Sequence, residues 1–289
     1  MNWFVCLVSV ILFSQLWSCP AAPSSPTPLD PRSIPQGEVE CPSSCLLLVY
    51  NNESMSEEGL VMTSRDLNPD YYEARRAGNA VQHYINTLYG SPFRLYSVTQ
   101  VHKARTEAMA DTGMKYFLEF SVKDWVGESS EWRGSVEVLY PRGETQAPPQ
   151  VQGSWGELPQ LNISAKEQAF YQRYSAVDSA VSAKDIPDSY GNVDPEMKPF
   201  WHLARVAASF IMLNESNENT LYNMAQVAKI TQLETQDDQL RFEYEVLLHD
   251  MVSQEIIRWK LLVSWSPAGG VKVLETELLP RCHCKPPTQ

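Results

Sequence analysis

Asn68-Pro69-Asp70 and Asp194-Pro195-Glu196 are one local device written twice, about 126 residues apart. Each offers an Asn or Asp that can cap a helix, a proline suited to its first turn, and an acid that complements the helix dipole. The spacing predicts a helix from each. The offset then holds downstream. Val81, Tyr84 and Ile85 match Ala207, Phe210 and Ile211, two sets at i, i+3, i+4 spacing on one helical face. Tyr96 matches Tyr222, and Val101 matches Val227. Tyr116, Leu118, Phe120 and Val122 match Phe242, Tyr244, Val246 and Leu248, apolar residues alternating with others as in half-buried antiparallel strands. Farther on, Glu137-Val138-Leu139-Tyr140-Pro141 resembles Leu262-Val263-Ser264-Trp265-Ser266-Pro267, which places Tyr140 and Trp265 at corresponding positions. A period kept through helix start, helix face and strand phase indicates an internal duplication. The expected fold class is α+β: two units, each a helix packed on a curved antiparallel sheet, with room for one more strand at the end of each.

Between the copies, Ser164-Ala165-Lys166-Glu167 has the form of a capping box. It predicts a linker helix within residues 161–185, separating unit 1 (67–160) from unit 2 (186–279). Upstream, residues 22–66 hold a proline-rich arm and a short apolar run at 45–50 that reads as a strand tied down by Cys45. Residues 280–289 form a cysteine-containing tail.

The first 21 residues bear on the compartment. From Met1 to Trp17 there is no charged side chain, and the apolar run from Trp3 to Phe13 has the length of a signal h-region rather than a membrane span. Small residues at Ala21 and Ala22 suit cleavage. The basic n-region is missing apart from the terminal amine, so an uncleaved anchor is the alternative. The expectation is a secreted protein with no membrane segment after processing. Cys41, Cys45, Cys282 and Cys284 would remain, all at the ends of the chain. The adjacent Cys282 and Cys284 are badly placed to pair with each other, which favours two bridges from the N-terminal segment to the tail. The rival use of the four is a zinc site, for which the one-residue gap is poor spacing. Asn52, Asn162 and Asn214 each begin an N-glycosylation sequon.

The formal net charge is −12, which disfavours nucleic acid as a partner, since phosphate binding needs a basic surface. The chain has no zinc-protease helix motif, nucleophile elbow or phosphate loop, and its five histidines have no ligand-spaced partner. Nothing in it specifies an active site or a cofactor, so it is read as a non-enzyme.

The most specific segment lies in the second copy. After Val246-Leu247-Leu248, a polar stretch from His249 to Gln254 crosses to a return strand in which Ile257, Trp259, Leu261, Val263 and Trp265 alternate. With it stand Phe170-Tyr171-Gln172-Arg173, Ile186-Pro187-Asp188, Gly191-Asn192-Val193 and Ser253-Gln254-Glu255-Ile256-Ile257. In these segments, from about Tyr71 to Val273, the chain resembles the family of latexin, ovocalyxin and the retinoic-acid-responder protein. The signal segment and cysteine-bearing ends look like its secreted, eggshell-associated branch. The resemblance implies two cystatin-like subdomains joined by a helix. It also implies inhibition of zinc metallocarboxypeptidases of the A/B type by a hairpin that maps onto His249, Ser253, Gln254 and Glu255. Gln254 would approach the target's metal, and His249 would make another contact. This chain has Arg258 where latexin has proline. The alternative is an acidic matrix protein acting on matrix proteins or calcium carbonate mineral, in mineralisation or defence, without retained inhibition. Inhibition of cysteine proteases is disfavoured, because no Gln-x-Val-x-Gly wedge is present and a fold does not carry a function.

Overall fold

The computed structural model describes residues 64–109, 112–127, 131–143, 147–154, 162–176 and 180–281. The signal segment, most of the arm, Asn52 and all four terminal cysteines lie outside the described residues, as does the strand expected at 45–50.

Among the described residues the fold is α+β, with two five-stranded antiparallel sheets and three helices. In the first half β1 (Ser64–Leu67) leads into α1 (Tyr72–Tyr89). Strands β2 (Tyr96–Met109), β3 (Gly113–Asp124), β4 (Trp132–Pro141) and β5 (Gln150–Ser154) follow, in sheet order β1-β2-β3-β4-β5. Helix α2 (Ser164–Ser175) comes next. The second half runs β6 (Ser182–Ile186), α3 (Lys198–Glu215), β7 (Tyr222–Gln236), β8 (Gln239–Asp250), β9 (Glu255–Ser266) and β10 (Gly270–Leu278), in sheet order β10-β9-β8-β7-β6.

The helices form where small and apolar residues recur at helical spacing. Ala74, Ala77, Val81 and Ile85 of α1 are buried, and so are Leu203, Ala204, Ala207 and Ile211 of α3. Tyr84 and Phe210 lie at the margins of these faces, half-buried. Each helix covers one face of its own sheet, and each half has its own hydrophobic core. On β8 the residues Leu240, Phe242, Tyr244, Val246 and Leu248 are buried in strict alternation, and on β3 Tyr116, Leu118, Phe120 and Val122 play the same part. Burying each such side chain stabilises the fold by about 1.5–3 kcal/mol relative to leaving it exposed. Tyr140 faces Met114 across one sheet as Trp265 faces Leu240 across the other.

Three expectations of detail are corrected. Asn68 and Asp194 do not cap the helices. Their Oδ1 atoms accept from the backbone N–H of Asp70 (3.0 Å) and Glu196 (2.8 Å), closing a turn, and the helices start four residues later at Tyr72 and Lys198. The capping box does not form either. The N-cap of α2 is Ile163, and the Ser164 hydroxyl donates instead to Asn162 Oδ1 at 2.8 Å. Finally, α2 ends at Ser175, short of the expected boundary at 185. Residues 182–186 pair with the edge of β7 as β6, where Ile186 is buried.

The two halves meet along α1 and α3. Asn79 Nδ2 donates to Tyr222 O (2.9 Å), His202 Nδ1 lies 3.0 Å from Pro92 O, and Tyr116 donates its hydroxyl to Glu218 Oε1 (2.9 Å). Gly90, at the end of α1, is required by close approach. A Cβ there would lie 2.5 Å from Asn86 O and 2.6 Å from a Val206 methyl. Gly90→Ala should therefore cost about 1–3 kcal/mol. That would lower the melting temperature by roughly 2–4 °C per kcal/mol in a thermal scan.

Candidate functional site: the β8–β9 hairpin turn

The hairpin turn is built around Asp250. Its side chain is buried and accepts four hydrogen bonds: from Leu221 N (2.9 Å), Val252 N (3.1 Å), Ser253 N (3.2 Å) and Ser253 Oγ (2.7 Å). Burial works against its charge, yet these donors, led by the Leu221 amide, hold the carboxyl below its ordinary value. Gln254 N donates to Asp250 O at 2.8 Å and closes the turn. The carboxylate thus ties the turn both to itself and to the segment entering β7.

A group whose pKa is depressed by folding stabilises the fold fully above its ordinary value, here 3.8, and that contribution fades as pH falls through the lower folded value. Wild-type stability should therefore drop on acidification through this range. Asp250→Asn should be less stable at neutral pH and show a shallower acid limb in urea titrations at stepped pH. Identical limbs for the two proteins would contradict the assignment.

Residues 251–256 are all exposed. Gln254 adopts φ 61°, in the left-handed region. The other non-glycine residues with positive φ among those described are Asp185, Asp237 and Asp238, a type that tolerates this conformation. A glutamine there has no such excuse. Its Nε2 donates to Met251 O at 2.6 Å, and since a backbone carbonyl can only accept, this bond fixes the orientation of the amide. No hydrogen bond among the described residues reaches its Oε1, which is left as a carbonyl oxygen on an ordered support.

The structure brings Ser253, Gln254 and Glu255 together in the turn. Ser253 braces it through Asp250, and Glu255 pairs with Arg281 at 3.0 Å on the surface, where such a contact contributes little. His249 is not in the turn. It lies on β8 opposite Ile256 and Asn223, half-buried. Arg258 sits in regular β9 opposite Leu247 and is ion-paired with Glu245. Asp250 was not singled out by the sequence, although a signal existed. Asp124 ends β3 at the matching position, is equally buried, and accepts from Leu95 N (3.1 Å) and Val126 N (3.0 Å).

Of the sequon residues, Asn162 is exposed, and its Oδ1 accepts from the Ser164 amide and hydroxyl. Asn214 is exposed in the last turn of α3, while Ser216 is buried with its hydroxyl on Met212 O. Among the described residues no group of three or more metal-ligating side chains occurs, and no helix is long and apolar enough to cross a membrane.

Fold and turn together define an α+β protein whose distinguishing feature is a rigid, exposed loop offering one ordered side chain. The latexin family profile matches residues 67–283, and the chain belongs to the latexin family. It is similar to latexin of Mus musculus, 36% identical over 75% of this chain and 97% of the relative. Ovocalyxin-32 of Gallus gallus is 29% identical over 72% of this chain and 75% of its own. Among solved structures, mouse fetuin-B covers 75% of this chain and 71% of its own at 12% identity, with a TM-score of 0.23, too low to bear on the fold.

Proposed function

We propose that the protein is a secreted inhibitor of zinc metallocarboxypeptidases of the A/B type, acting through the β8–β9 hairpin at 249–255. The observation that carries this reading is the conformation of Gln254. Backbone strain of this kind costs about 1–3 kcal/mol, persists only where the surrounding structure over-determines it, and clusters at functional sites. An amide oxygen held outward on a braced turn suits the open coordination position of a catalytic zinc, which accepts a substrate's carbonyl oxygen. The side-chain amide presents that oxygen outside a peptide bond, so the site is filled without being turned over. Ordering by Asp250 in the free protein lowers the entropic cost of binding. His249 and Glu255 would contact the rim of the target.

The same reading takes the two halves as cystatin-like units. Elements α1 and α3, β2 and β7, and β3 and β8 begin 126 residues apart, and α2 would be the linker. Processing near Ala22, glycans on Asn52, Asn162 and Asn214, and bridges among Cys41, Cys45, Cys282 and Cys284 belong to the proposal as well. The acidic net charge of −12 favours the second reading, a matrix protein acting on mineral or matrix partners. The test is inhibition of carboxypeptidases A and B by the purified protein, with papain and calcite binding measured beside it. Inhibition of the carboxypeptidases alone is expected. Calcite binding without inhibition at micromolar concentration would overturn the proposal in favour of the matrix role.

A further inference from the structure

A cleft of about 420 Å³ opens where the two halves meet. One wall is the α1 face bearing Arg75 and Gln82, backed by the start of β2. The other is formed by Arg205 of α3, the start of β7 and Met251 of the hairpin turn.

Among the described residues the guanidinium of neither Arg75 nor Arg205 forms an ion pair or a hydrogen bond. Arg205 has its guanidinium over the Trp201 ring, 4.9 Å from the centroid. Among the described residues no carboxylate is paired with it. His83 and His202 are both pushed below their ordinary value, by burial first and also by the Arg205 charge. Burial lowers the pKa of Arg205 itself. A guanidinium drawn partly out of water without a counter-charge is costly. Gln82 adds a free donor, because its Oε1 accepts from Ser97 Oγ (2.8 Å) and Val98 N (3.1 Å), leaving the amide nitrogen unused. Asp70 is the one carboxylate of the lining, and it pairs with neither arginine.

Two arginine forks and an amide N–H₂ with no protein partner, lining one cleft, suit a ligand that is all acceptor and carries negative charge. We propose that this cleft is an oxyanion site that takes the sulfate or phosphate group of a monoester. Arg205 and Arg75 hold it from two helices, and Gln82 donates a further hydrogen bond. The remaining volume receives the esterified group. The site is local, because the chain's net charge of −12 repels anions at long range. A ligand bound there bridges the halves and stabilises both by mass action. This is independent of carboxypeptidase inhibition, and either can fail alone.

The test is thermal unfolding and calorimetric titration of the whole secreted protein. The probes are sodium sulfate, sodium phosphate, glucose 6-sulfate and glucose 6-phosphate, with sodium chloride at equal ionic strength as reference. The proposal predicts a saturable rise in melting temperature with the oxyanions and none with chloride. Arg205→Gln and Arg75→Gln should each weaken binding about tenfold or more, and Arg205→Lys should restore only part of it. Tighter binding of the sugar sulfate would identify sulfated carbohydrate as the source, and tighter binding of the sugar phosphate a phosphorylated one. Sulfate raises the stability of many proteins by exclusion from their surface, without saturation and without regard to these arginines. That behaviour, or variants that bind as the wild type does, would overturn the proposal. Arg75 is exposed, so its variant keeps the test open if Arg205→Gln does not fold.

Discussion

Phe170→Ala should lower stability by about 3–5 kcal/mol, the usual cost of removing a buried aromatic ring. Phe170 is only 7% exposed although α2 is otherwise mostly polar. Its ring lies 5.0 Å from Phe200, 5.5 Å from Trp265 and 4.8 Å from Tyr174, all in the core of the second half. On the other side it meets Phe93 edge-on at 5.7 Å, in the segment joining α1 to β2. One side chain therefore anchors α2 and connects the two halves. The melting temperature should fall by roughly 2–4 °C for each kcal/mol lost. A fall below about 1 kcal/mol in urea titration would mean that α2 is not docked as described.

Gln254→Gly should have opposite effects on stability and on inhibition. Glycine adopts a φ near 61° without strain, which favours the variant. It also has more freedom to lose on folding, and the Nε2 bond to Met251 O disappears. The net change should lie between zero and about 1 kcal/mol of stabilisation. Inhibition should weaken about tenfold or more, as expected when a central contact worth about 1.4 kcal/mol is removed. Gln254→Ala loses the same amide but keeps the strain, so it should inhibit as poorly while being less stable than the glycine variant. Equal inhibition by wild type and both variants would move the inhibitory contact elsewhere.

The strand pattern was legible because burial on one face leaves a period of two, as in Phe242, Tyr244, Val246 and Leu248. The helix faces were legible from alanine and branched residues at helical spacing. Helix starts were not, since Asn68 and Asp194 carry the same chemistry whether they cap a helix or close the turn before it. The Ser164 cap was lost to a competitor two residues upstream, Asn162. Strand β6 left little trace because only Ile186 of its five residues is buried. The hairpin's location could be read from its motif, but its bracing could not. Asp250 reaches Leu221, 29 residues away, and the left-handed turn rests on a residue type that does not announce it. The cleft between Arg75 and Arg205 joins residues 130 apart and exists only once the halves have packed.

The central claim is that the oxygen of Gln254 reaches a protease's metal. Cobalt-substituted carboxypeptidase reports this directly, because its visible absorption responds to what occupies the open coordination position. Adding one equivalent of the wild-type protein should change that spectrum, and Gln254→Gly should leave it unchanged at the same concentration. An unaltered spectrum in a fully inhibited wild-type complex would contradict the account.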